Sequence, residues 1–219
     1  MIAIILSLFL ITPEIEESHT DTIIDNSSKS EYLEVDNKRI PWEIKDAVIE
    51  ALAYFPELAG VAIDFEFKEK ISGSVMQAQP RILTMFIKGK EKREYRIKIT
   101  RSFDFEEGEV LIEDVPHDAL VGWIGHELGH IMDYKNRSTA NMMHFGMRYM
   151  LSNKRLTEAE LAADTYAISC GMGHQILMVK NYILNNVNFE DSYKNKIREL
   201  YMSPLQILSL QEELVEDES

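Results

Sequence analysis

The chain has little of several things, and each shortage excludes something. Of its 219 residues only one is cysteine, Cys170. An internal disulfide is therefore impossible, and so is a four-thiolate zinc or iron–sulfur site. Basic residues are scarce, 23 Lys and Arg against 37 Asp and Glu, leaving a net charge of −14. Sequence-independent nucleic-acid binding needs clustered cations, and so does docking on an anionic membrane surface; the charge balance argues against both. No apolar run approaches the roughly 20 residues of a spanning helix. There is no internal repeat or low-complexity tract, and the 45% hydrophobic content is ample for a folded core.

The longest apolar run is Ile2–Ile11, interrupted only by Ser7. Its length suits the apolar core of a signal peptide, so residues 1–12 are expected to be a signal-like segment or a light membrane anchor. No Lys or Arg precedes it and no A-x-A cleavage site follows. An exported protein, periplasmic or secreted, or one anchored by this segment is the expectation, ahead of a cytoplasmic one. Membrane contact is expected at most through residues 2–12. Residues 13–39 are polar and without periodicity, and read as an arm or linker.

The folded domain is expected over 40–219. Ile44, Val48, Ile49, Leu52 and Phe55 follow Pro41 at helical spacing. Val61, Ile63, Phe65 and Phe67 alternate with polar residues as in a half-buried strand. Arg81–Lys88 and Glu94–Thr100 read as two more strands, with Gly89–Lys92 as their hairpin connection, and the acidic stretch Ser102–Glu113 reads as a loop. After Pro116 the pattern is helical: Asp118–Lys135, Thr139–Leu151, Glu158–Ser169, His174–Asn185, Tyr193–Tyr201 and a last helix opened by Pro204. The expected class is α+β, a small mostly antiparallel sheet followed by a predominantly helical C-terminal half.

Residues 126–130 read His-Glu-Leu-Gly-His on one of these helices. Positions i and i+4 share a helical face, so His126 and His130 can offer two imidazole nitrogens to one ion. Glu127 lies about 100° further round, beside the ion and not on it. That is the place of a general base for water that the ion has made acidic. Leu120, Ile124, Leu128 and Ile131 form the apolar stripe of this helix. Gly122, Gly125 and Gly129 form another, which predicts the close approach of a second backbone, such as the sheet.

Two histidines hold zinc poorly, and a third ligand is required. Asp133 shares their face but reads as a solvated or supporting acid. Glu158 and Glu160 both open the next helix. Glu160 is preferred because Asp164 follows at i+4, where it can hold the far nitrogen of a liganded histidine. The alternative for Glu160 is a capping box with Thr157. The oxyanion donor is open among His144, His174, Tyr134, Tyr149 and Tyr166. Met142, Met143, Met147 and Met150 read as adaptable packing, and Cys170 as a small buried residue.

The His126–His130 motif followed by Glu160-Leu-Ala-Ala-Asp164 resembles the gluzincin metallopeptidases, with its nearest pattern in the branch of prenyl-protein and heat-shock zinc proteases. The resemblance covers about residues 118–170. It implies a zincin-like fold, a zinc ion held by His126, His130 and Glu160, Glu127 as base and Asp164 as orienting acid. It further implies a polypeptide substrate bound in extended form along an edge strand. The several transmembrane helices usual in that branch have no counterpart here, and Ala159 stands where thermolysin-like members carry Asn.

Three other readings compete with a zinc endopeptidase. A non-proteolytic metal-binding protein would keep the ligands but have no use for Glu127. A di-iron helical oxidase could use Glu127-x-x-His130, but its second ExxH would have to be Glu16-x-x-His19, in the polar arm. A short cytoplasmic repressor-cleaving protease pairs the same motif with a downstream glutamate, yet no DNA-binding helix-turn-helix is evident.

Overall fold

A computed structural model describes residues 31–71, 73–105, 108–142, 152–186 and 188–217. Residues 1–12, and the arm up to residue 30, lie outside them. The sheet begins inside the stretch read as a polar arm. Strands β1 (Tyr32–Val35) and β2 (Lys38–Pro41) pair as an antiparallel hairpin across Asp36 and Asn37. Both turn residues have positive φ, 45° and 63°, as the tightest hairpin turns require.

The main sheet has the order β1-β2-β3-β5-β4, with β3 (Ile63–Lys68), β4 (Met76–Pro80) and β5 (Tyr95–Thr100). It is mixed: β2–β3 and β3–β5 are parallel, while β1–β2 and β4–β5 are antiparallel. A second, two-stranded antiparallel sheet joins β6 (Ser102–Phe105) and β7 (Gly108–Leu111), where the sequence suggested an acidic loop. The strand expected at Arg81–Lys88 is instead a helix, α2 (Ile82–Ile87). An unbroken apolar run has no period to separate strand from helix, and here Pro80 ends β4 and Thr84 caps back onto the Arg81 carbonyl. The Gly89–Lys92 segment accordingly joins α2 to β5 through a short 3-10 turn and is not a hairpin.

Sequence reading also missed β4. Its MQAQP composition lacks the β-branched and aromatic residues that mark strands. It is an edge strand, and its register explains its tolerance of proline. Val75 bonds to Thr100 of β5 and Arg81 to Glu94 just before it, so the alternate residues Met76, Ala78 and Pro80 turn their backbone groups away from β5. Pro80 therefore lacks an N–H only where no ladder bond is needed.

Helix α1 (Lys45–Ala53) and the long α3 (His117–Asn136) pack together, and α3 also lies against β4. On its other flank α3 meets α4 (Asn153–Ala167) and α5 (Gly173–Asn185), followed by α6 (Asp191–Leu200) and α7 (Pro204–Asp217). The helix expected from Thr139 is present over residues 139–142, and the rest of it, with Met143, His144, Met147, Tyr149 and Met150, lies outside the described residues. The apolar stripe Leu120, Ile124, Leu128 and Ile131 is buried in a core continuous with Ile63, Phe65, Ile97 and Ile99 of the sheet. The fold is therefore α+β and zincin-like, with the motif on a long helix between the sheet and the C-terminal helices.

Candidate metal centre

The glycine stripe determines how close the helices come. A Cβ on Gly122 would lie 2.0 Å from the Gln175 carbonyl oxygen of α5, and one on Gly129 would lie 2.3 Å from the Ala163 oxygen of α4. Gly125 faces the Met172 side chain. The close approach is thus to two helices and not to the sheet. Contact at Ala163 brings α4 against the motif, with Glu160 and Asp164 one turn apart on the facing side.

The two imidazoles and Glu160 converge. His126 Nε2 lies 3.1 Å and His130 Nε2 3.3 Å from the same oxygen, Glu160 Oε2. Ligand atoms of His126, His130 and Glu160 all fall within 4.8 Å of one another, and all three residues are buried. Bonds of 2.0–2.1 Å at tetrahedral angles separate ligand atoms by about 3.3–3.4 Å, close to these spacings. The set is geometrically suited to a metal ion of the gluzincin type.

Each member is held by its surroundings. His126 Nδ1 meets Asp164 Oδ1 at 2.8 Å, which leaves Nε2 as its inward-facing atom. His130 Nδ1 is buried with no hydrogen-bond partner among the described residues, while its ring stacks on Tyr134 at 5.9 Å. Glu127 points to the sheet side, where its Oε2 accepts a 2.6 Å hydrogen bond from the Ala78 N–H at the free edge of β4. Glu158 faces outward and pairs with Arg155 at 2.5 Å. Asp133 pairs with Arg137 at 2.8 Å, away from the cluster. Thr157 is no cap: α4 begins at Asn153, and the Thr157 hydroxyl donates to the Asn153 carbonyl.

The electrostatics separate the carboxylates. Burial pushes all three upward, but His130 and His126 hold Glu160 well below the ordinary range, and Lys180 and His126 hold Asp164 down. Glu127 goes the other way: burial outweighs its histidine neighbours and its carboxyl is raised. Burial also opposes charge on His126, yet Asp164 and Glu160 prevail and raise it to about 9 in the metal-free protein.

Of the expected oxyanion donors, His174 is exposed and 3.8 Å from Asp118, and Tyr166 accepts from Asn136. Tyr134 stays beside His130. Sequence reading missed Tyr193 and Lys196 on α6, which no motif marks. The charges of Glu127 and Glu160 reach both, and the Lys196 ammonium donates to the Gly73 carbonyl at 2.7 Å, tying α6 to the segment before β4. A cavity of about 300 Å³ opens there, lined among others by Val75, Phe103, Phe189 and Tyr193.

No protein-family model matches the chain, and neither a curated protein nor a solved structure is significantly similar to it. Its reading rests on the centre itself.

Proposed function

We propose that the protein is a zinc-dependent metalloendopeptidase of gluzincin character, with His126, His130 and Glu160 as ligands, Glu127 as general base and Asp164 as the acid orienting His126. The observation that carries this is the convergence of both Nε2 atoms on one Glu160 oxygen, with a raised carboxyl, Glu127, beside them on a strand edge. The donor set fits zinc, and His130 turns Nε2 and not its unpartnered Nδ1 towards Glu160, which supports Nε2 as the ligand atom.

Zinc bound there would polarise the scissile carbonyl and acidify a water molecule. Glu127 would accept a proton from the attacking water and pass it to the leaving amine, a task for which a buried carboxyl with raised affinity for protons is suited. The outer edge of β4 is where an extended polypeptide would add as a further strand, beside the Ala78 N–H that is already given to Glu127. Tyr193, kept protonated by burial and by the two carboxylates, is the donor we assign to the oxyanion.

The two motifs resemble those of the prenyl-protein and heat-shock protease branch. The substrate is a polypeptide and not a nucleic acid, and residues 2–12 export or anchor the chain. Among the described residues no helix is long and apolar enough to cross a membrane. Cell fractionation with sequencing of the mature N-terminus tests the export.

Glu127→Gln tests the chemistry. The variant should keep one zinc ion per chain while hydrolysis of an unfolded protein substrate falls by about 10²–10⁴. Unchanged hydrolysis would remove Glu127 as base. Absence of hydrolysis in a zinc-loaded wild-type chain would favour a structural metal site.

A further inference from the structure

Behind Asp164 stands a second buried charge. Lys180 is 4% exposed and Asp164 is 0% exposed, and the ammonium lies 3.0 Å from Asp164 Oδ2. Along an unbroken helix the two residues would be about 24 Å apart. They meet because the chain turns back between α4 and α5, through a π-helical segment, Ile168–Met172, in which Gly171 has φ 92°. A left-handed residue at that point is one that glycine adopts without strain. The reversal returns α5 along α3 and delivers Lys180 to the far side of the carboxylate.

The carboxylate is fully engaged. Oδ1 takes His126 Nδ1, and Oδ2 takes both Lys180 and the Met202 backbone N–H at 3.1 Å. Lys180 lies over the Tyr201 ring, 4.0 Å from its centroid, and that ring is 5.3 Å from the His126 ring. A buried lysine that merely neutralised a buried aspartate could sit on either oxygen. Here it occupies the one opposite the imidazole, so it fixes the rotation of the carboxylate about its own axis.

We propose that Lys180 is a positioning residue for the metal centre: acting through Asp164, it locks His126 in the tautomer and orientation that present Nε2 to the ion, and so sets zinc affinity. This rests on the proposed zinc site. It adds to that site a third layer, Lys180–Asp164–His126, contributed by a helix that carries none of the ligands.

The test is zinc affinity, read by competition with a chromogenic chelator on the full chain and needing no substrate. Lys180→Met, neutral and of similar length, should weaken zinc binding about 10-fold, in the range typical for partners of liganding histidines. Lys180→Arg keeps the cation and should stay within about 3-fold of wild type. In an Asp164→Asn background Lys180→Met should change affinity less than about 2-fold, because the residue through which it acts is already altered. Should Lys180→Met not fold, Lys180→Gln takes its place in both backgrounds. Wild-type affinity in the neutral variant overturns the inference, and so does an equal loss in both backgrounds, which would mark a purely structural role. A wild-type chain that binds no zinc overturns the proposed function, and any role of Lys180 at the metal with it.

Discussion

Helix α3 is approached from two sides in two different ways. On the helical side its neighbours come against bare backbone, Gln175 on Gly122 and Ala163 on Gly129. On the sheet side contact is through side chains, with Leu120, Ile124 and Leu128 packed in the core and Glu127 bonded to Ala78. The helical side supplies Glu160, Asp164 and Lys180; the sheet side supplies a strand edge. The placement of Glu160 and Asp164 therefore depends on a backbone fit with no slack, and that of Glu127 on side-chain packing and one hydrogen bond.

The sharpest way to break this contrast is a single methyl group. Gly129→Ala places a carbon 2.3 Å from a backbone oxygen that cannot rotate away. It should cost about 3 kcal/mol of folding stability by denaturant titration and weaken zinc binding, since α4 must retreat. Gly60, near the start of β3, has nothing within 4 Å of the corresponding position. There Gly60→Ala should be neutral or stabilise by up to about 1 kcal/mol. Equal costs at the two positions would mean the helices are not as close as described.

The sheet side is tested by an amide-to-ester replacement at residue 78, which deletes one N–H and adds no atoms. A hydrogen bond to a charged group is worth about 1.5–3 kcal/mol, so hydrolysis should fall roughly 10-fold or more with little loss of zinc. The bond favours the charged form of Glu127; without it the carboxyl rises further, and the acid limb of the pH–rate profile should move up. A profile that stays in place would detach Ala78 from the base.

Much of this centre could be read from the residues alone. His126, Glu127 and His130 share one short motif whose periodicity fixes their face, and Glu160 with Asp164 repeats that logic on a neighbouring helix. What was not legible is what arises between segments. Nothing local in MQAQP marks β4, which is a strand only because β5 accepts it. The hairpin β6–β7 was hidden by acidity, although Phe103 and Phe105 alternate with polar residues beside Gly108. The glycine stripe announced a close approach, but its partner depends on the reversal at Gly171. Lys180 carries no motif and gains its meaning from that same turn.

Protons sharpen the contrast next. In the metal-free protein His126 is raised to about 9, so at pH 7 it is protonated, and a ligand must be neutral. Zinc binding at pH 7 should thus release about one proton from His126, measurable by calorimetry in buffers of different ionisation heat, and affinity should rise about 10-fold per pH unit towards pH 9. Folding stability without metal carries the opposite sign. A raised histidine stabilises fully below its unfolded value of about 6.5, and that contribution is lost as pH rises through the folded value. Glu160 and Asp164, both lowered, stabilise above the ordinary carboxylate range and lose this as pH falls. The metal-free chain should therefore be most stable in mildly acidic solution and the zinc-loaded chain at higher pH. Coincident profiles would disprove the coupling.

The smallest effect belongs to Glu158. It lies two residues from Glu160 and is the second candidate by sequence, with Ala162 and not an acid at i+4, and its carboxylate is exposed and paired with Arg155. An exposed pair of this kind contributes about 0–1 kcal/mol. Glu158→Gln should leave zinc content and affinity unchanged and shift the denaturation midpoint barely at all, whereas Glu160→Gln removes a charge on which both imidazoles converge. Zinc loss from Glu158→Gln would mean that α4 is rotated by two residues in solution, about 200° round the helix. That rotation would also move Ala163 off Gly129, so this variant checks the backbone fit as well as the ligand.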